Sequence, residues 1–481
     1  MVEESKRVVC SSSFLISLLI FHVLAYSVIF FQIDEWKAKF SFSDSNNHET
    51  KLANSNNNLG TATKVKDVAP KKDPLKIMLR RLVTGEKRAQ FEETGFAHLS
   101  ELNSDIYISS KEVRFDTNAS RVYIYSDNQE LEKYVVQPYP LKNDAVAMKM
   151  VKPVEIFHGK IPPPPCDLKH DVPAVVFSSG GFAGNIFHEF NDIIIPLFIT
   201  SRHFRSRVKF MITDYQLWWI NKFRRVLTEL SNFEFMDAGS VKTVNGSRTI
   251  IHCFPGAIVG LRYHDNLAIN ISDTPGAYSM VEFRDLLRKS FNLKIRDVSQ
   301  MLSNKPQLLI ISRTRTRTIV NQDAVVKMME ELGFRVYIPS NDLMSNLVEF
   351  SRVIGSSSVM LGVHGAGLTN EIFLPNGGVM IQVLPLELDW VANAYYGGPA
   401  KGMGLHYLEY KIDPQESTLY DLYGPNHPVI KDPDSIKALG YRKSRVYFLD
   451  QQNVTINMGR FRNTLVEAMR LIGRSTTNAP S

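Results

Sequence analysis

Three short stretches of the chain combine residue types that do chemistry. The first, "GGFAGNIFHEFNDIIIP", runs from Gly180 to Pro196 and sets His188 and Asp192 four residues apart. On a helix that spacing puts both on one face, one turn apart. An imidazole with a carboxylate in reach is the arrangement of a general base and its orienting partner. Which of the two takes a proton stays open, as does the plainer reading of a first helical turn with solvated polar groups. Ile186, Phe187, Phe190 and Ile193 speak against that plainer reading, because they make the helix a buried one. Asn185 opens the helix, and Glu189 and Asn191 fall off the shared face.

The second stretch, "QLLIISRTRTRTIVN", ends an apolar strand at Ser312 and Arg313. A guanidinium fork at a strand exit suits phosphate oxygens. Arg315 and Arg317 alternate with threonines and are expected on a solvated loop, which leaves Arg313 as the anion ligand. The third stretch, "VMLGVHGAGLTNEIFLP", spans Val359 to Pro375. In an open parallel sheet, ligands bind beyond the carboxyl ends of strands, where a loop meets a helix N-terminus. Gly365 and Gly367 let backbone approach an anion, and a helix from about Gly367 would aim N–H groups and its dipole at it. His364 adds a donor, and Asn370 and Glu371 belong to the same polar turn. A tight turn with packing glycines and a core histidine is the alternative. Neither G-x-G-x-x-G nor G-x-x-x-x-G-K-[ST] occurs.

Positioning these motifs is the task of the elements around them. From Ala174 onward short apolar runs alternate with helical patterns: "AVVFSS", "VKFMI", "QLLIISR", "RVYIP", "SVMLGV" and "VMIQVLP" read as strands with helices between them. Strands joined by helices of that length form parallel sheets. Two such series predict an α/β protein of two doubly wound, Rossmann-like domains with a cleft between them. An anion cradle in one domain would then face a His/Asp pair in the other, which fits transfer from a nucleotide sugar with diphosphate as leaving group. A metal-dependent version would want Asp-x-Asp at a strand end. The one match, Asp432-Pro433-Asp434, lies in a proline-rich loop, so no metal site is expected.

The chain has 481 residues, 44% hydrophobic and 22% charged, as for a globular protein of two domains. A net charge of +7 favours anionic partners, but no zinc-finger or RNA-binding signature points to nucleic acid. Val8 to Phe31 is free of charged residues. As a helix those residues would extend about 36 Å, enough to cross a bilayer. The run is longer than the apolar core of a cleaved signal peptide and ends in Phe30 and Phe31, which favours a retained anchor. Lys6 and Arg7 on one side balance Lys37 and Lys39 on the other. Acceptor triplets at Asn118, Asn245, Asn270 and Asn453 tip the orientation towards a single-pass protein with its bulk in the secretory lumen. Cys10 lies in the membrane run; Cys166 and Cys253 are either a lumenal pair or two buried thiols. Ser41 to Pro74 reads as a disordered stem, and "IPPPPCD" as extended polyproline.

"GNIFHEFNDIIIPLF", "IISRTRTR" and "GVHGAGLTNEIFLPNG" resemble, in order and spacing, the plant branch of family 61 glycosyltransferases, over roughly Leu75 to Arg470. That branch includes xylan arabinosyltransferases, xylan xylosyltransferases and the N-glycan core β-1,2-xylosyltransferase. The resemblance implies a Golgi type II membrane enzyme of GT-B-type fold that uses a UDP-sugar, inverts the anomeric centre and needs no bound metal or other cofactor. It places the donor diphosphate at Arg313, His364, Gly365 and Gly367, with Asn370 and Glu371 nearby, and the acceptor side at Asn185, His188 and Asp192. The expected reaction moves arabinofuranose or xylose from its UDP-sugar to xylan. An N-glycan acceptor and a non-catalytic glycan-binding protein are the alternatives, and self-association is left open. The implied organisation is a tail and anchor (1–33), a stem (34–74), an acceptor-side domain (75–295), a nucleotide-sugar domain (296–454) and a C-terminal helix (455–475) returning to the first domain. Tyr395 and Tyr396, near Trp390, are either core or a sugar-stacking platform.

Overall fold

Three runs in the second half, Gln307–Ile311, Val359–Val363 and Val379–Leu384, are buried along nearly their whole length, as a covered parallel strand must be. Gln307–Ile311, Arg335–Tyr337, Val359–Val363, Val379–Leu384 and His406–Lys411 pair in parallel throughout. Counted along the chain, their order in the sheet is 2-1-3-4-5. That is a doubly wound order, with its switch point between the first and third strands. Alternate residues face opposite ways. Leu308, Ile310, Leu361 and Val363 meet Val325, Met329, Phe461 and Leu465 on one face. Leu309, Ile311 and Met360 meet Phe350, Leu368 and Phe373 on the other. The strand exits at Ser312 and His364 thus flank the switch point.

This computed structural model describes residues 73–127, 129–239, 250–301 and 305–474. The expected membrane anchor, nearly all of the stem, Cys10 and the Asn245 acceptor lie outside them, as does the side chain of Trp390. Among the described residues no helix is long and apolar enough to cross a membrane.

The first half departs from the expected second doubly wound domain. Ala174–Ser178, Lys209–Thr213 and Met236–Asp237 do form a parallel series, joined by the helical segment Ile186–Ser201 and the helix Leu217–Leu230. Ala257–Val259 adds a fourth parallel strand, but Phe96–Ser100 and Asp105–Ser109 extend the same sheet antiparallel. A separate six-stranded mixed sheet is built mainly from residues 113–159 and completed by Leu168–Lys169 and Ile251–Phe254. Its antiparallel strands need no helical crossover, so the crossover pattern gives no sign of them. Cys166 and Cys253 are bonded, tying the proline-rich segment to that sheet.

The largest apolar cluster runs from Leu79 to Leu405 through both halves. Met280–Phe291, opened by a Ser279/Glu282 capping box, lies within it. Its Arg284, 1% exposed, donates to Asn376 Oδ1 at 3.1 Å and to the carbonyls of Ile372, Leu374 and Met403. The described residues from Asp73 to Arg474 accordingly form one unit. The helix Met458–Leu471 packs on the second-half sheet and on Gln322–Glu331, not on the first half as expected. Its apolar stripe of Phe461, Leu465, Ala468 and Met469 completes a face that one helix alone would leave open.

Candidate active site

Pro196 shapes the helix that carries His188. Proline has no N–H and crowds the carbonyl four residues back, which here belongs to Asp192. The chain responds with a π-helical stretch over Glu189–Ile194, closed by a bond from the Ile195 N–H to the Phe190 carbonyl. Such a widened turn is a common device at functional sites. Asn185 caps the helix start, its Oδ1 accepting from Phe187 N at 3.0 Å. Its side-chain oxygen therefore has a structural task in addition to the acceptor-side one expected of it.

Asp192 is fully buried and multiply bonded. Its Oδ2 accepts from His188 Nδ1 at 2.8 Å and from the Tyr139 hydroxyl at 2.7 Å. Its Oδ1 accepts from Asn191 Nδ2 at 2.7 Å. Asn191 in turn accepts from Leu267 N at 2.8 Å, so the residue expected off the shared face braces the carboxylate from a second side. Burial, then the Asp192 charge, push the Tyr139 hydroxyl above its ordinary range and keep it a donor. The His188 side chain is 27% exposed, with Nδ1 committed to Asp192, so Nε2 is the nitrogen left for a substrate. An imidazole so held has the geometry of a base, and the buried carboxylate sets its tautomer.

The second group lies at the switch point. A Cβ placed on Gly365 would come within 2.5 Å of Arg313 Nη1 and 3.3 Å of Arg317 Nη1, so two guanidiniums crowd one glycine whose φ is +153°. Arg313 Nε donates to the Thr316 carbonyl at 2.8 Å, and Arg317 Nη1 to the His364 carbonyl at 2.8 Å. Arg317 thus leaves the solvated loop expected of it and joins Arg313, while Arg315 stays exposed. Burial, then Arg313, bring the Arg317 guanidinium down to about 10; burial lowers Arg313 too. Both stay cationic at neutral pH, and neither makes an ion pair with a carboxylate among the described residues. Two half-buried cations side by side form a site for an anion of more than one charge.

His364 completes this face. Its Nδ1 accepts from Gln382 Nε2 at 2.6 Å, and Gln382 Oε1 accepts from the Tyr407 hydroxyl at 2.9 Å. Burial, then Arg317 and Arg313, lower the imidazole to about 3. It is therefore neutral, with its proton on Nε2 as a donor. Gly367 packs: a Cβ there would meet Ile311 Cγ2 at 2.9 Å. Asn370 Nδ2 turns back to the Gly367 carbonyl at 2.9 Å. Glu371, expected near the donor, is fully buried, and neither carboxyl oxygen has a hydrogen-bond partner among the described residues. Burial raises it well above the usual carboxylate range, offset only in part by Arg284. The helix expected from about Gly367 is a 3-10 helix, Ala366–Phe373.

A run of rings connects the two groups. Phe187, next to His188, lies 6.1 Å from Tyr396, which lies 5.7 Å from His364. Tyr396 is 2% exposed and donates to the Gly365 carbonyl at 3.0 Å, so it supports the loop and offers no face for stacking. Tyr395 packs on Phe187 at 5.1 Å. Asp434 binds Lys437 at 2.6 Å on the surface, and no group of three metal-ligating side chains occurs among the described residues. Sequence reasoning missed Arg317, Tyr139, Gln382 and the bracing role of Asn191. A lone glutamine in the apolar strand "VMIQVL" is the one local signal that could have exposed any of them.

A doubly wound sheet with an anion site at its switch point, faced by a His/Asp pair, is a frame for transfer from a nucleotide-activated group. The glycosyltransferase 61 family model matches residues 186–381, which include all three motifs. The chain belongs to this family: it is 35% identical over 411 residues to a xylan glycosyltransferase of Arabidopsis thaliana, covering 80% of this chain and 81% of that protein. It is 40% identical over 347 residues to an α-1,3-arabinosyltransferase of Oryza sativa subsp. japonica, covering 71% of this chain and 59% of the relative. A β-1,2-xylosyltransferase of the same rice is 37% identical over 346 residues, covering 71% and 72%.

Proposed function

We propose that the protein moves a pentose, arabinofuranose or xylose, from a UDP-sugar to xylan with inversion, on a GT-B-type frame. The observation that carries this reading is the Arg313/Arg317 pair crowded onto Gly365 at the switch point, opposite a histidine whose tautomer a buried aspartate sets. His188 is the base and Asp192 its positioning residue. The acceptor hydroxyl oxygen attacks the anomeric carbon while its proton passes to His188 Nε2. The bond from that carbon to the diphosphate oxygen breaks, and the departing charge falls to Arg313, Arg317 and the Nε2–H of His364. Attack from the side opposite the diphosphate gives inversion. The relatives' names, xylan glycosyltransferase, arabinosyltransferase and xylosyltransferase, support xylan and a pentose.

A Golgi type II topology belongs to the same proposal. The Val8 to Phe31 run supports it, as does the Cys166–Cys253 bond, which persists in an oxidising compartment. Asn118 and Asn270 are proposed glycan acceptors on the described surface. Asn453 is half-buried and accepts from Thr318 N at 3.0 Å, so its side chain is already used to hold two segments together.

The test uses the full chain in detergent with xylo-oligosaccharides and a panel of UDP-pentoses, with and without chelator, read by product mass and by the anomeric NMR signal. The expected result is one pentose added from one donor, with inverted configuration and in the presence of chelator. No transfer from any UDP-pentose to any xylo-oligosaccharide would contradict the reading.

A further inference from the structure

The helix Leu217–Leu230 turns Trp219, Ile220, Phe223, Val226 and Leu227 into the core. Trp218 is left out of it, 46% exposed, beside Leu217 at 61%. A singly exposed apolar side chain is ordinary, so the exposure of this indole carries nothing by itself. It is, however, held in place. Its Nε1 donates to Gln216 Oε1 at 2.6 Å, and Gln216 Nε2 donates to the Ser179 carbonyl at 3.1 Å. Ser179 opens the loop that leads into the His188 helix. One turn further along the same helix face, Lys222 forms an ion pair with the buried Glu189, the residue next to His188. Two separate contacts therefore set the Trp218 end of this helix against the start of the His188 segment.

Resting on the proposed xylan acceptor, we infer that Trp218 is an acceptor subsite that stacks a backbone xylose ring away from the unit being modified. A β-1,4-linked xylopyranose has equatorial hydroxyls, no hydroxymethyl group and an apolar C–H face, which suits the face of a fixed indole. Gln216 spends its amide orienting the ring. Phe182, whose ring lies 4.6 Å from that of His188, is a further aromatic beside the base.

The experiment compares Trp218→Ala and Trp218→Phe with the native full chain on xylobiose and xylohexaose. In Trp218→Ala, KM for xylohexaose rises about tenfold while kcat stays within about twofold and KM for xylobiose barely moves; Trp218→Phe recovers most of the loss. An unchanged xylohexaose KM in Trp218→Ala overturns the subsite. Should that variant fail to fold, titration of xylohexaose into native protein and Trp218→Phe without donor decides. A tryptophan fluorescence change present in the native chain and absent in Trp218→Phe supports the subsite, and the same change in both overturns it. A native chain that modifies no xylo-oligosaccharide refutes the acceptor reading, and the titration still decides whether Trp218 binds xylan.

Discussion

In the proposed reaction His188 and Asp192 divide a proton transfer according to their burial. The carboxylate takes three hydrogen bonds and no solvent, so it orients and does not accept; the half-buried imidazole keeps one nitrogen for the acceptor hydroxyl. Asp192→Asn keeps the shape but replaces an acceptor-only group by an amide that can force the other imidazole tautomer. Its kcat/KM for pentose transfer is expected to fall about 10²–10⁴-fold, with an unchanged melting temperature checking that the fold persists. A loss below about threefold, measured at equal folded concentration, contradicts the positioning role. The four-residue spacing made this pair legible in the sequence. Tyr139 was not legible, because it reaches Asp192 from 53 positions away and no local pattern encodes that. Arg317 misled for another reason: alternation with threonine is what a solvated loop looks like. A φ of +55° at Arg317 and a bond from its N–H to the Gln452 carbonyl turn the segment back onto His364.

At the scale of elements, Pro196 and the π-helical stretch before it decide where Asp192 points. Pro196→Ala restores the missing N–H and lets the helix return to regular α geometry, moving Asp192 relative to His188. Transfer is expected to drop about 10²-fold, the order of loss that a displacement of about 1 Å brings. The melting temperature is expected to hold or rise, since an interior helical proline is costly. Activity equal to the native enzyme in Pro196→Ala would mean that the π-helical stretch does not position the dyad. The central strands of the second-half sheet, Gln307–Ile311, Val359–Val363 and Val379–Leu384, were legible because each is a nearly unbroken apolar run, whereas the half-exposed edge strand His406–Lys411 offers no such run. The strands between residues 113 and 159 were not, because "VRFD" alternates burial over only four residues and "EKYVV" buries only its last. The C-terminal helix was legible as a helix, but its partner was not; an apolar stripe shows that something covers it and not what.

Across the described residues, seven histidines have their imidazoles pushed down by burial: His158, His252 and His264 to about 4, His203 and His364 to about 3, and His98 and His170 below their ordinary value. Each takes up a proton on unfolding wherever the pH lies between its folded value and the ordinary 6.5. Their contribution is present in full above pH 6.5 and is lost as pH falls towards 3, at up to about 1.4 kcal/mol per pH unit for each. The melting temperature should therefore decline steeply from pH 6.5 to pH 4, and a flat profile over that range in thermal melts would contradict the burial of these rings. One apolar cluster through both halves makes that decline a single transition. The same continuity holds the dyad, carried by the first half, against the arginine pair carried by the second. The proposed transfer needs both, and in it the arginine pair is the part that receives the leaving group. The most direct test is the transfer rate of Arg317→Ala from the UDP-pentose to a xylo-oligosaccharide. A fall of about 10²–10³-fold is predicted, the loss that accompanies removal of one donor from a developing negative charge. A rate within about threefold of the native enzyme would show that the diphosphate does not depart at the switch point.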